Sequence, residues 1–233
     1  MIKRACLAVL FCGLIPAAAF ASPCGPGSLA SFIALGSSGC TIGSTQFFNF
    51  TALPVLGGAT LLPDSASFVT PLGVSTPGFR FNVNSDVGPG AIFERRIGYS
   101  ISSPGLIGAQ TFLTGSNVTT DGANTLIENL CLGAAFGVGE TCGASTAQLV
   151  PFDLGGLGQS LSESTGFPSK SLLGVIVDIT VDGGTDGHAV LASATTQFTP
   201  APLPESAMLP FVAIGLIAGL AGMRARRSGN LKV

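Results

Sequence analysis

The chain has 233 residues, of which 9% are charged and 46% hydrophobic, with a formal net charge of −2. That length supports one good-sized domain or two small ones. So few Lys and Arg side chains cannot neutralise a phosphate backbone, and nucleic acid is not an expected partner.

The chain opens on an expected cleavable signal helix, residues 1–21. Lys3 and Arg4 supply a basic start, "ACLAVLFCGLI" a short apolar stretch, and Ala19 and Ala21 small residues ahead of a cleavage point before Ser22. The run is short and is followed by Pro16, which disfavours a first membrane span. Phe11 before Cys12 departs from the small residue that a lipoprotein site requires. Two of the six cysteines, Cys6 and Cys12, leave with this segment. Cys24, Cys40, Cys131 and Cys142 remain, an even set that in an exported chain predicts two disulfides with three possible connectivities. Pairing 24 with 40 and 131 with 142 closes short local loops and is the first choice; Cys40–Cys131 is the rival. A zinc site of four thiolates is disfavoured, because no CxxC pair exists.

Residues 22–199 form the expected ectodomain, with Arg80, Arg95, Arg96 and Lys170 set against eleven acidic side chains between Ser22 and Pro204. The 33 glycines and 15 prolines have no strict period and point to short strands with tight turns. "STQFFNFTA" and "ASFVT" read as strands. "GFRFNVN" puts Phe79, Phe81 and Val83 opposite Arg80, Asn82 and Asn84. "RIGYSIS" sets Ile97, Tyr99 and Ile101 against Arg96, Gly98 and Ser100, and "QTFLT" adds another strand. "ANTLIENLCLG" fits strand or helix and is assigned to strand. "GVIVDITVD" alternates Val175, Val177, Ile179 and Val181 with polar residues. These patterns predict strands buried on one face. "VDGGTDGHAVLASATTQF" reads as a glycine turn joining two strands in a hairpin. The expected fold is all-β, an antiparallel β-sandwich of seven or more strands, with no amphipathic helix of ordinary length.

The segment "FIALGSSGCTIGSTQFFNF" carries Gly39, Cys40, Thr41, Gly43, Phe47 or Phe48, and Phe50. It resembles the start of an ectodomain that recurs in bacterial PEP-CTERM proteins. "PGFRF", "IGYSI", "LIENLC" and "VDITVDGGTDGHAVLASATTQF" follow in the order such ectodomains show, over roughly residues 28–199. The resemblance implies an exported protein; it assigns no activity.

A Pro-rich linker, residues 200–206, leads to the tail. Residues 207–223 hold no charge and, as a helix at 1.5 Å per residue, span about 25 Å, enough for the thin side of a bilayer core. A polar face, which a helix of the soluble core would need, is absent from this run. Arg224, Arg226 and Arg227 lie in the basic end, 224–233, expected to stay in the cytoplasm. The expected element is a single transmembrane sorting helix. Gly215 and Gly219 form a GxxxG face open to close helix approach.

The tail resembles the PEP-CTERM sorting signal, which implies transient insertion in the inner membrane and processing by an exosortase-like enzyme. The name-giving Pro-Glu-Pro is here Pro204-Glu205-Ser206, preceded by Pro202 and Leu203. "LPESA" also resembles the LPxTG signal of sortases, with Ser206 and Ala207 in place of its Thr and Gly. A lasting membrane anchor is the third reading.

No catalytic signature stands out. His188 is the only histidine and sits beside a glycine-rich turn; there is no GxSxG to give it a nucleophile. Walker A and GxGxxG motifs are also absent. Glu94, Glu128, Glu140 and Glu163 are scattered, and nothing selects a glycosidase pair. Asn82, Asn84 and Asp86 are spaced like calcium ligands but lack the glycine and glutamate of an EF-hand loop; with Asp182 and Asp186 they read as turn residues. No cofactor is expected. The sequons at Asn49 and Asn117 read as coincidental. The sequence therefore predicts an exported, non-enzymatic surface or extracellular-matrix protein, in contact with exopolysaccharide. The alternative is a secreted hydrolase with an unrecognised site.

Overall fold

The structure, a computed structural model, describes residues 21–55, 59–60 and 67–202. The signal segment up to Phe20, the sorting-motif residues Leu203, Pro204, Glu205 and Ser206, the span 207–223, and Arg224, Arg226 and Arg227 lie outside the described residues. Among the described residues no helix is long and apolar enough to cross a membrane.

Short strands β1 (Ser22–Pro23) and β2 (Gly27–Ser28) lead into α1 (Leu29–Ile33). There follow β3 (Cys40–Ile42), β4 (Thr45–Leu53), β5 (Phe68–Pro71), β6 (Gly78–Val87) and the long β7 (Ile92–Thr114). After these come β8 (Asn117–Thr119), β9 (Ala123–Leu132), β10 (Ser145–Leu149), β11 (Phe152–Asp153) and β12 (Gln159–Ser160). The long β13 (Ser162–Asp182) and β14 (His188–Pro200) complete the set. The fold is all-β and predominantly antiparallel, as the alternating apolar pattern predicts; β1 runs parallel to β3.

Two strands organise everything else. β7 and β13 pair along nearly their whole length, from Asp182 opposite Ile92 to Ser162 opposite Phe112, with register shifts between Gly166 and Leu172. At those shifts both strands pass from one layer to the other. Layer one holds β3, β4, the first half of β7, the second half of β13, and β9, with β10 and β11 beyond. Layer two holds the other halves of β13 and β7, then β14, β6, β5 and β2, with β8 extending along β14. The result is a β-sandwich-like body closed at one end by its own continuous strands.

Its core is aromatic on one side. Phe47 of β4 meets Phe79 of β6 at 4.7 Å between ring centroids, and Phe50 stacks on Tyr99 at 5.2 Å. The first contact joins the two layers and the second lies within layer one; both add to simple area burial. The Tyr99 hydroxyl reaches Thr196 Oγ1 of the opposite layer at 2.9 Å. β9, ambiguous in sequence, is a strand whose inward row is Asn124, Leu126, Glu128 and Leu130.

Three features differ from the sequence reading. The strands over Ile97–Ile101 and Val175–Val177 are covered on both sides rather than half-exposed: Arg96, Ser100 and Ile176, on the outer face of layer one, are all buried, whereas Asp178 and Thr180 farther along keep partial exposure. A loop after β9 lies across them. The two strands around residues 183–187 do not form a hairpin. β13 pairs with β7 and β9, whereas β14 pairs with β6, β7 and β8, so the turn steps between layers. Its glycines serve close approach: a Cβ on Gly183 would sit 1.9 Å from the Gly88 carbonyl, and Gly184 has φ +68°. Finally, α1 is a helix of five residues, started by Ser28, whose hydroxyl accepts from Ser31 N, and anchored by buried Leu29 and Phe32. It is too short for a periodic signal.

Candidate functional site

The four retained cysteines form Cys24–Cys40 and Cys131–Cys142, with Cα separations of 4.9 and 5.5 Å. The first ties the start of the body to β3. The second has a different consequence. Cys131 lies in register with Gly174 and Thr146 on the outer face of layer one, so its bond to Cys142 brings the intervening segment back over that face.

That segment is seated closely. A Cβ on Gly174 would lie 2.6 Å from the backbone nitrogen of Phe136, so only glycine lets the loop settle onto β13. Gly133 N donates to Leu172 O at 2.9 Å, and Gly137 N to Thr141 O at 2.8 Å. Arg96, reaching up from β7, donates to Glu140 Oε2 at 2.6 Å and to the Pro54 carbonyl at 2.9 Å. The same guanidinium lies 3.2 Å from Asp178 and 4.0 Å from Glu94. Burial pushes the Asp178 carboxyl upward and Glu94 adds to this, while Arg96 pulls it back. Arg96 is thus a shared counter-ion that staples loop to sheet.

A recess opens on each side of the loop. One, of about 460 Å³, runs over β4 and β7 and is lined by Asn49, Thr51, Ser100 and Phe136. The other, of about 600 Å³, lies over β9 and β10 with Asn129, Gln148 and the opposite side of Phe136. The first recess is mostly apolar, with Leu53, Pro54, Val138 and Ile176 beside its hydroxyls and amide, and the second is the more polar, with Asn129, Thr146 and Gln148. Asp178 and Glu140 are engaged with Arg96, and among the described residues no serine or cysteine nucleophile is paired with a base there. Sequence reading did not single out Arg96, Phe136 or this face. Glycine at outward positions 98 and 174 of the two long strands was the available signal.

His188, Asp86, Asn82 and Asp182, singled out in the sequence, have structural partners. His188 Nε2 and Asp86 Oδ1 are 2.6 Å apart on the surface at the opposite end from the β7–β13 bend. Asn82 donates to the Phe68 carbonyl and Thr70 Oγ1, and Asn84 takes a left-handed φ of 43°. Asp182 accepts from Gly184 N within its own turn. Asp121 accepts from the backbone of Thr185 and Asp186, which holds its carboxyl below the usual range. Among the described residues no group of three or more His, Cys, Asp and Glu is placed to hold a metal ion. Pro202 ends the described chain, and the remaining sorting-motif and arginine positions lie outside it.

No family model and no curated protein matches this chain. Among solved structures it is similar to TmCBM61 in complex with β-1,4-galactotriose, at 8% identity, over 52% of this chain and 69% of that one. The TM-score is 0.25, too low to carry an argument about fold or ligand.

Proposed function

We propose that this is an exported, non-enzymatic protein of the cell surface or extracellular matrix, delivered by its C-terminal segment as a PEP-CTERM-like sorting signal. The observation that carries the reading is the pair of disulfides in a small-charge, all-β body. Disulfides persist in oxidising, extracytoplasmic compartments and are rare in the cytosol. The signal-like start and the tail then supply the route: insertion in the inner membrane, processing by an exosortase-like enzyme near Pro202–Ser206, and release to the surface. Neutral amides and hydroxyls flanking Phe136 suit contact with exopolysaccharide in that setting, since such groups exchange hydrogen bonds with sugar hydroxyls without bringing net charge.

The test is mass mapping of the mature protein from its native host. A C-terminus between residues 202 and 207, with four cysteines resistant to alkylation before reduction, supports the reading. An intact Val233 on a stably membrane-bound chain replaces it with the lasting anchor, and a covalent link to peptidoglycan after Ser206 replaces it with the LPxTG-like route. Matrix contact is checked separately by co-sedimentation with the host exopolysaccharide, where F136A is expected to bind less.

A further inference from the structure

We infer that the end of the body where β7 and β13 bend is a membrane-facing surface that rests on anionic lipid headgroups while the tail is inserted; this rests on the reading of the tail as an inserted segment. The first argument is where the chain leaves. Pro200 pairs with Leu106, and Ala201 N donates to the Gly105 carbonyl at 2.9 Å, so the last described residues emerge at that bend. Residues 203–206 separate Pro202 from the uncharged run at 207. At the extended limit of 3.3–3.6 Å per residue this tether reaches roughly 17 Å, so the bend cannot stray far from the interface.

The second argument is charge. The segments gathered at this end are the turns 43–44 and 72–77 and the bends of β7 and β13 at 103–105 and 167–171, with the β9–β10 loop leaving beside them at Gly133. They carry Lys170, opposite Leu106, and among the described residues no carboxylate; Glu205 of the tether is the nearest in sequence. Val74, 68% exposed, projects beside Gly43 in the same group of turns. The opposite end bears Asp86, Asp121, Asp182 and Asp186, all on or beside turns. An anionic leaflet attracts Lys170 and repels that acidic end, within about a Debye length of 8–10 Å. Tether and charge therefore select the same orientation. The strands then run away from the membrane, and the recesses beside the Cys131–Cys142 loop stay open on the side wall.

The chain contains no Trp, so one introduced Trp reports its own surroundings. The tail-bearing chain is reconstituted with phosphatidylethanolamine–phosphatidylglycerol vesicles carrying a headgroup-spin-labelled phosphatidylcholine. V74W is expected to lose most of its emission and T185W, at the acidic end, to keep it. K170E in the V74W background is expected to restore part of the emission while the chain still floats with the vesicles. Equal quenching at both positions in a chain that floats overturns the orientation and leaves the anchoring reading standing. A chain that fails to float overturns the anchoring reading and this inference with it.

Discussion

Glu128 occupies the least hospitable position for its chemistry. The alternation of β9 turns it inward, in register with Val177 and in the row of Ile97. It is fully buried, and neither carboxyl oxygen has a hydrogen-bond partner. Burial pushes its pKa well above the usual carboxylate range. Burial also raises the Tyr99 phenol, with the neighbouring Glu128 adding to the shift. The sign of the linkage follows. Below the ordinary glutamate range both folded and unfolded chains hold the proton. As pH rises through that range the unfolded chain releases it and the folded one does not, so stability falls until the folded carboxyl itself ionises. E128L is expected to stabilise the fold at neutral pH by on the order of 1–3 kcal/mol, read as a higher urea midpoint, and to flatten its pH dependence. E128Q cannot ionise and should flatten the slope while keeping a buried polar group; an unchanged slope in both variants would refute the assignment. Arg96 is the converse case. R96M leaves Asp178 packed without the guanidinium beside it, and is expected to destabilise by about 3 kcal/mol in the same titration, with part of the loss recovered by adding D178N.

The loop between β9 and β10 depends on three ties: a disulfide at its ends, the Arg96–Glu140 pair in its span, and the seat at Gly174. Replacing Cys131 and Cys142 together with Ser is expected to lower stability by about 2–4 kcal/mol. In the variant, hydrogen exchange should rise first over residues 133–141 and leave β6 and β14 protected. G174A pushes a methyl group against the Phe136 backbone and should lift the same loop, at about 1–3 kcal/mol, with the disulfide intact. If exchange in G174A rises evenly over the whole body, the seat is not local and this account of the loop fails. These contacts also show what the sequence could disclose. Period-two alternation located β6, the first half of β7 and the second half of β13 with their inward rows, because successive Cβ atoms point to opposite faces whatever the strands pair with; that "QTFLT" continues β7 as one strand, and that β13 begins at Ser162, was not legible. Partners were not legible. "VDGGTDG" has the composition of a hairpin turn, yet its glycines allow passage beside Gly88 and Asp121 from one layer to the other. The polar row Arg96, Gly98 and Ser100 looked solvent-facing because its cover comes from residues 133–141, a segment with no periodicity of its own.

The body and the tail make separate demands on the chain, and the distinction can be tested. The body has ties of its own, from the Cys24–Cys40 disulfide to the β14 pairings. On the proposed sorting-signal reading, the direction of the tail rests instead on charge after the apolar run: Arg224, Arg226 and Arg227, with Lys232 behind them. Basic residues just beyond a hydrophobic segment resist translocation and keep their side in the cytoplasm. As a membrane span, seventeen uncharged residues would provide only the lower range of a bilayer crossing, so on this reading little besides that charge opposes passage. Changing all three arginines to Ser is therefore expected to let the tail run through, or to leave it misplaced, while both disulfides still form. The measurement is accessibility of a C-terminal epitope to protease added outside spheroplasts, read beside the thiol-alkylation pattern. Exposure of the epitope with four protected cysteines is the expected result. An epitope that stays shielded in the triple variant, with the body folded and exported, would show that something other than these arginines sets the topology.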